Sequence, residues 1–384
     1  MARGIYYHLS LARVAAQKAW PGRASLLGAR GLKYQEIPEV PRPDDWVAVK
    51  PRMSGICGSD ISLLRGDSSP YMAPLTSFPA VLGHEILAVA PSNGQRVVVD
   101  PSLSCAARRL PPCQMCGIGR PDDCLRRVDP GIGPGLLLGY NSRLPGGWSE
   151  EMWAPAEQLV AVPDSMPDER AVLTEPAAIV LTGLRKLEWG QVQNALIIGS
   201  GSIGLITAAL ISELYPAVEL FSLARYPAQQ AMARQMGSRH VVSSPADDRE
   251  FGRVVGAAWK TMPGFGPHYS RGFDVVVVTA GSGSALASGV SWAGSEGQIL
   301  LLGGTATARL DWTPVWSRGL RIQGSYGYGE SAPDTFRAVL SLFSVMSQPL
   351  EELVTHRFPL ASFKDAARTV LTGRGSVIKA VFSP

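Results

Sequence analysis

The spacing of apolar residues changes character about half-way along the chain. In the first half, short apolar runs at residues 46–50, 81–89 and 96–100 are separated by Pro and Gly, a pattern that predicts β-structure. Residues 4–7 read as a first strand and residues 11–20 as a short amphipathic helix. Residues 182–189 then predict a helix that joins this half to the next. In the second half, buried strands and helices alternate. Residues 195–198 are fully apolar, as in a strand inside a parallel sheet, and after a glycine-rich turn the apolar residues resume at helical length to residue 211. Further strands are predicted at 218–223, 240–242, 273–279 and 298–302, with helices over 227–236, 247–259 and 284–292. Residues 261–271 form a Pro/Gly-rich loop longer than such a unit needs. The chain therefore reads as α/β, with a β-rich first half and a doubly wound parallel sheet in the second.

The turn after residue 198 carries Gly199, Gly201 and Gly204 at the G-x-G-x-x-G spacing. Gly199 permits the tight turn, Gly201 lets a pyrophosphate approach the backbone, and Gly204 lets the helix pack closely on the strand. The free N–H groups at the helix start, those of Ser202 and Ile203, would then bind the phosphates. Such spacing alone is a weak signal, because glycines cluster in many turns. Here a buried strand precedes it, a helix follows, and a second apolar run ends about twenty residues on, where a ribose is read. A dinucleotide site is the better reading, ahead of a plain strand–turn–helix. The position that usually carries an acid for the ribose of NAD is Ala224, followed by Arg225. An acid there would accept from the ribose hydroxyls and repel a 2′-phosphate. Ala224 does neither, and Arg225 can hold the phosphate by charge-assisted hydrogen bonds. NADP(H) is therefore expected ahead of NAD(H), the other reading being a solvated Arg225 with NAD held by other contacts.

Length and charge agree with this outline. At 384 residues the chain can build two domains with separate cores. A net charge of +4, spread along the sequence, does not suggest a nucleic-acid partner. No apolar run is long enough to cross a membrane. The first 35 residues hold Arg3, Arg13, Lys18, Arg23, Arg30 and Lys33 without one acid, as a transit peptide would. The strand and helix read there, with no h-region or cleavage signature, favour a cytoplasmic protein instead. His240, His268 and His356 read as structural or exposed groups.

Five cysteines occur, and four of them, Cys105, Cys113, Cys116 and Cys124, fall within twenty residues. Without a secretory signal such a cluster suggests a metal site before disulfides. Cys57, in Ser54-Gly-Ile-Cys57-Gly-Ser-Asp60, and His84-Glu85, in Gly83-His-Glu85, offer a thiolate, an imidazole and a carboxylate. These suit a catalytic zinc that keeps one position open. Glu175-Pro176 places another carboxylate just ahead of the nucleotide-binding half. Each has a plain reading too: a buried Cys is usually a small hydrophobe, and Glu before Pro often starts a helix. Their joint presence favours a site. Tyr140, Trp148 and Trp153 lie in or beside a Gly-rich stretch and read as packing groups, the alternative being the border of a substrate pocket.

Taken together, Cys57-Gly-Ser-Asp60, Gly83-His-Glu85, the cysteine cluster, Glu175-Pro176, the Gly199–Gly204 fingerprint and the ending Val377-Ile-Lys-Ala-Val381 resemble the zinc-dependent medium-chain alcohol and polyol dehydrogenases, in that family's order. The resemblance implies a GroES-like catalytic domain over residues 1–177 and 322–384, with a cysteine-rich structural zinc lobe at 101–127. A Rossmann domain over residues 178–321 would be inserted into it. It also implies two zinc ions, one catalytic and one structural, an alcohol or carbonyl substrate, and a homodimer or homotetramer. Cys57 and His84 would be catalytic zinc ligands. Of Glu85 and Glu175, one would ligate zinc and the other hold or exchange with its water. Ser59 matches the hydroxyl that bonds the substrate oxygen and passes its proton on. Asp60 would orient a zinc ligand, or else bond nearby backbone as a turn aspartate.

The sequence departs from that family in two places. Where many members carry a histidine at the outer end of the proton relay, this chain has Ser62, so the relay would end in a hydroxyl, the cofactor ribose or water. In the cysteine lobe, Cys105 stands eight residues before Cys113 where the family spacing is three. A four-thiolate zinc tolerates the longer loop at a cost of about 1 kcal/mol or less, and closed structural sites normally take four ligands. The alternative is a three-cysteine remnant with Cys105 idle. Two other functions share the fold: a zinc-independent NADPH reductase of activated C=C bonds, and a non-catalytic nucleotide-binding protein. The reductase has no use for Cys57, His84, Glu85 and Glu175 together.

Overall fold

The computed structural model describes all residues except 21–23, 40–41, 91–93, 130, 244–258, 261–267, 270, 305–306 and 374. The chain forms two compact units. The first comprises Met1–Ala178, Gly327–Val345 and Val354–Pro384; the second comprises Ile179–Tyr326 and Met346–Leu353.

The first unit is built on the strand Trp46–Gly55, which is longer than its apolar run suggested because it changes partners half-way. Its beginning pairs antiparallel with Met152–Pro155, and its later part with Ile86–Val89 and Lys379–Phe382. The register shifts between Pro51 and Met53, where Pro51 has no N–H to give to the ladder. Arg96–Val99, Leu159–Ala161 and Val354–Phe358 complete this sheet. A second sheet of three strands holds Leu32–Glu36, Arg3–Tyr7 and Ala80–Val81. The expected strand at 81–89 is thus two strands, Ala80–Val81 and Ile86–Val89, in different sheets. Gly83 separates them at φ 97°, and a side chain there would come within 2.3 Å of Trp148. That break frees His84 from the strand Ile86–Val89, while Glu85, just before it, still accepts the Gly55 N–H through its carbonyl at 2.9 Å.

In the second unit six strands form one parallel sheet in the order His240–Ser243, Glu219–Ala224, Asn194–Ile198, Phe273–Val278, Ala293–Leu301, Arg321–Gly324. The order reverses at Asn194–Ile198, so the glycine turn sits at the switch point, where ligands of such sheets bind. The strand core, with Leu196, Ile198, Phe221, Val276, Val278 and Ile299, is almost fully enclosed.

One helix differs from expectation. It runs over Thr174–Leu184, eight residues earlier than read. Ala177, Ala178, Val180, Leu181 and Leu184 are all buried, so the segment has no polar face for a period to reveal. Pro176 sits in its first turn, where no N–H is required. The helix expected over 247–259 and the loop over 261–271 lie outside the described residues, apart from the strands Trp259–Lys260 and His268–Tyr269 and Arg271. The reading of the His268 side chain falls outside them too. His240 stacks on Phe221 and lies 2.8 Å from Glu219, and His356 bonds Thr355, both as structural groups. Among the described residues, no helix is long and apolar enough to cross a membrane.

Candidate active site, cysteine lobe and nucleotide turn

Cys57 caps the helix Gly58–Arg65, immediately after the long strand. The Asp60 carboxylate accepts its N–H at 2.9 Å, which fixes the first turn. Cys57, His84 and Glu85 each offer a ligand atom within 4.8 Å of the others. His84 and Glu85 are buried, and Cys57 is partly exposed. Lys379, 3 % exposed, brings its ammonium to 2.7 Å from both Glu85 oxygens. Burial alone would lower that lysine's pKa, but Glu85, then Cys57, reverse the sign and raise it. Glu175, in the first turn of Thr174–Leu184, accepts a 2.6 Å hydrogen bond from the Tyr328 hydroxyl. Burial pushes its carboxyl up to about 7, against the opposing pull of His84.

Asp60 is fully enclosed, and one oxygen lies 4.0 Å from His84 Nδ1. The Tyr140 hydroxyl donates to that oxygen at 2.8 Å and stands 3.1 Å from the exposed Ser59 Oγ. Burial raises the Asp60 carboxyl. For His84, burial lowers the pKa, but Cys57, Asp60 and Glu175 together raise it well above the usual value. Cys57, Asp60 and Glu175 thus surround one buried imidazole beside Glu85. A cluster with this surplus of donors suits a divalent cation of zinc type.

The cysteine lobe closes on itself despite its long loop. Cys105, Cys113, Cys116 and Cys124 place their sulfurs within 4.8 Å of one another. Bonds from Arg108 N–H to Ser104 O and from Leu110 N–H to Cys105 O fold residues 105–110 back over the gap. Arg108, in that loop, is 6 % exposed and donates to the carbonyls of Leu103, Arg127, Asp129, Gly133 and Gly135 at 2.8–3.3 Å. It ties the loops of the lobe together beside Leu103 and Ala107, which join the apolar cluster of the sheet. Backbone N–H groups of Cys113, Leu125 and Arg126 each point at a thiol sulfur at 3.4 Å. Such bonds from Cys116 and Leu125 lower the Cys113 pKa to about 6. All five cysteines are free thiols, and the four grouped sulfurs could hold one metal ion.

At the nucleotide turn, Gly199 has φ 106°, and a Cβ on Gly204 would lie 1.8 Å from Gly199 O. Around Gly201 nothing lies within 4 Å of such an atom, which leaves the approach open. The first bond of helix Ser202–Leu214 runs from Leu205 N–H to Gly201 O, so the N–H groups of Ser202 and Ile203 stay at its open end. Ala224 is buried at the end of its strand and Arg225 is exposed next to it.

Residues 43–164 match the alcohol dehydrogenase GroES-like domain, and residues 203–345 match the zinc-binding dehydrogenase family. The chain belongs to the zinc-dependent medium-chain dehydrogenases/reductases. It is 27 % identical over 355 residues to an L-threonine 3-dehydrogenase of Chelativorans sp., a match covering 89 % of this chain and 92 % of that one. Its fold is that of an alcohol dehydrogenase of Escherichia coli solved with NADH (22 % identity, TM-score 0.75, 100 % and 99 % covered). It is equally that of a putative zinc-binding dehydrogenase of Sinorhizobium meliloti bound to NADP (23 % identity, TM-score 0.72, 92 % and 95 % covered). As a medium-chain dehydrogenase it is an α/β oxidoreductase with a GroES-like and a Rossmann-like part. Three residues that touch its site carry no local motif: Tyr140, Tyr328 and Lys379. Tyr140 was visible in the sequence as an aromatic beside the Gly-rich stretch, and Lys379 as a lone cation inside the apolar ending Val377-Ile-Lys-Ala-Val381; Tyr328 left no signal.

Proposed function

We propose that this protein is a zinc-dependent oxidoreductase that moves a hydride between NADP(H) and an alcohol/carbonyl pair of alcohol, polyol or sugar-like type. The grouping of Cys57, His84 and Glu85 within 4.8 Å, with Ser59 on the adjoining helix, carries this reading. Cys57, His84 and Glu85 would hold the catalytic zinc, and the four clustered cysteines a structural one. When bound, the metal supplies Lewis acidity to a hydroxyl or carbonyl oxygen, and the nicotinamide accepts or gives the hydride.

The chain's own groups do the rest. Ser59 relays the proton: on oxidation its hydroxyl accepts the substrate's proton as it passes its own on to a hydroxyl, the cofactor ribose or water, and on reduction the transfers run in reverse. Tyr140, anchored on Asp60, holds the Ser59 hydroxyl in place. Asp60 also faces His84 Nδ1 and keeps the imidazole oriented. Lys379 holds both Glu85 oxygens at 2.7 Å and fixes the carboxyl group beside Cys57. Glu175 faces the same group of donors with a carboxyl poised near neutrality. Gly199, Gly201, Ser202, Ile203 and Gly204 cradle the pyrophosphate, and Arg225 receives the 2′-phosphate. We place the protein in the cytoplasm as a homodimer or homotetramer.

The test is a panel of alcohols, polyols, L-threonine and the matching carbonyls, assayed with NADP(H) and NAD(H), with zinc measured on the same sample. Turnover of an alcohol/carbonyl pair at about two zinc ions per chain is expected. Turnover confined to activated C=C bonds, or nucleotide binding without turnover, would replace this reading.

A further inference from the structure

The cysteine lobe is tied to the candidate active site by one carboxylate. Asp122 lies in the short turn Pro121–Asp123, two residues before Cys124. Its Oδ2 accepts the backbone N–H groups of Tyr328 and Gly329, at 2.9 and 2.8 Å. Gly327, just before them, has φ 77°, and a Cβ on it would come within 2.0 Å of the Asp122 carboxyl. The loop 327–329 is therefore pressed onto the carboxylate, with glycine required on both steric counts.

Tyr328 then reaches inward. It is 2 % exposed, packs edge-on against Phe336, and has its carbonyl held by the Thr335 hydroxyl at 2.8 Å. Its own hydroxyl ends 2.6 Å from Glu175 Oε1. A backbone fixed at one end by Asp122 thus sets where a buried phenol meets the Glu175 carboxyl at the other. We infer that Asp122 is a positioning residue for the reaction, holding Glu175 in place through the 327–329 loop and the Tyr328 hydroxyl. The lobe then serves more than its own fold, since the placement of Asp122 depends on the turn that leads into Cys124. This inference rests on the dehydrogenase reading of Glu175.

The experiment is a double-mutant cycle on the full-length, zinc-replete protein. Tyr328→Phe deletes only the hydroxyl and should lower kcat about ten- to hundredfold, the usual effect of losing a hydrogen bond to a charged group, with KM little changed. Asp122→Ala should give a comparable loss, with zinc content per chain unchanged. Asp122→Asn keeps an oxygen for both N–H groups and should recover most of it, which a charge effect or a folding defect would not allow. The double variant Asp122→Ala/Tyr328→Phe should be no slower than the worse single one. Should Asp122→Ala fail to fold, Gly327→Ala displaces the same loop from the other side and should show the same kcat loss. Full kcat in the Asp122 and Gly327 variants while Tyr328→Phe is impaired, or losses that multiply, would overturn the inference. A wild-type protein with no turnover overturns the dehydrogenase reading instead; the cycle is then read in melting temperature, where coupled effects uphold the link and additive ones refute it.

Discussion

Ser59 stands exposed on the first turn of its helix, while Tyr140 and Asp60 behind it are enclosed. That arrangement fits a hydroxyl that meets substrate from a rigid back. Ser59→Ala should lower turnover about 10²–10⁴-fold, the range for positioned proton transfer. Tyr140→Phe should cost less, and Ser62→Ala least, since water can stand in for an outer relay member. Full turnover in Ser59→Ala with chemistry rate-limiting would remove it from the mechanism. Arg225 is exposed at the end of the second strand and free of a neighbouring acid at position 224. Arg225→Ala should weaken NADPH about ten- to hundredfold and leave NADH unchanged, as read by titrating each cofactor. Ala224→Asp should reverse the preference by repelling the phosphate, and equal wild-type affinities would refute the assignment. Asp100 makes a stability prediction. It is buried, accepts from Ser102 N–H and Gln158 Nε2, and burial pushes its carboxyl up to about 6 from 3.8. The folded state therefore binds this proton more tightly than the unfolded one. The contribution is complete below about pH 4, declines by ~3 kcal/mol as pH rises to about 6, and is flat above. Denaturant titrations across that window should show Asp100→Asn missing this slope; an unchanged slope would mean the group titrates normally.

Among the elements, the nucleotide turn separates folding from binding most cleanly. A methyl at Gly204 would collide with the Gly199 carbonyl, whereas at Gly201 it would meet open space. Gly204→Ala should lower the melting temperature by several degrees. Gly201→Ala should melt normally yet lose dinucleotide affinity, because its methyl occupies the room meant for phosphate. If Gly201→Ala bound cofactor normally, the turn would not hold the pyrophosphate. The turn was legible in the sequence because each glycine answers to a local cause. So were five of the six strands of the parallel sheet, whose apolar runs stand between breakers; Arg321–Gly324, mostly polar and exposed at the sheet edge, was not. The helix Thr174–Leu184 was misplaced because burial on all sides erases its period. The same limit holds at the site. Cys57, His84, Glu85 and Glu175 announce themselves by residue type. Tyr140, Tyr328 and Lys379 reach their carboxylate partners across 80, 153 and 294 residues, so only the folded chain brings them together.

At the scale of the molecule, two clusters of metal donors stand on different kinds of support. Cys57, His84 and Glu85 rest on sheets with a dense apolar core, including Trp148, Leu82, Leu64 and Phe382. The cysteine lobe has little such core; a single buried guanidinium on five carbonyls and four sulfurs hold it together. On the proposed two-zinc reading, metal binding would supply much of the folding energy of the lobe and little of that of the sheets. Cys57→Ala should accordingly leave about one zinc per chain, a near-normal melting temperature and no measurable dehydrogenase activity. Cys113→Ala should disorder the lobe, lower the melting temperature and promote aggregation. Arg108→Met should act like a weaker Cys113→Ala, since it removes the donor from five carbonyls without touching a sulfur. Among the described residues only the carbonyls of Arg127 and Gly133 keep another donor, the Gly135 N–H and the Asn141 side-chain amide. Cys105→Ala tests the long loop: its sulfur lies 3.6 Å from that of Cys124, so its loss should release the structural zinc as Cys113→Ala does. Unchanged zinc content and stability in Cys105→Ala would make it a bystander in a three-cysteine site. Metal analysis finding no zinc in freshly purified, unchelated wild-type protein would remove both sites, and the proposed mechanism with them.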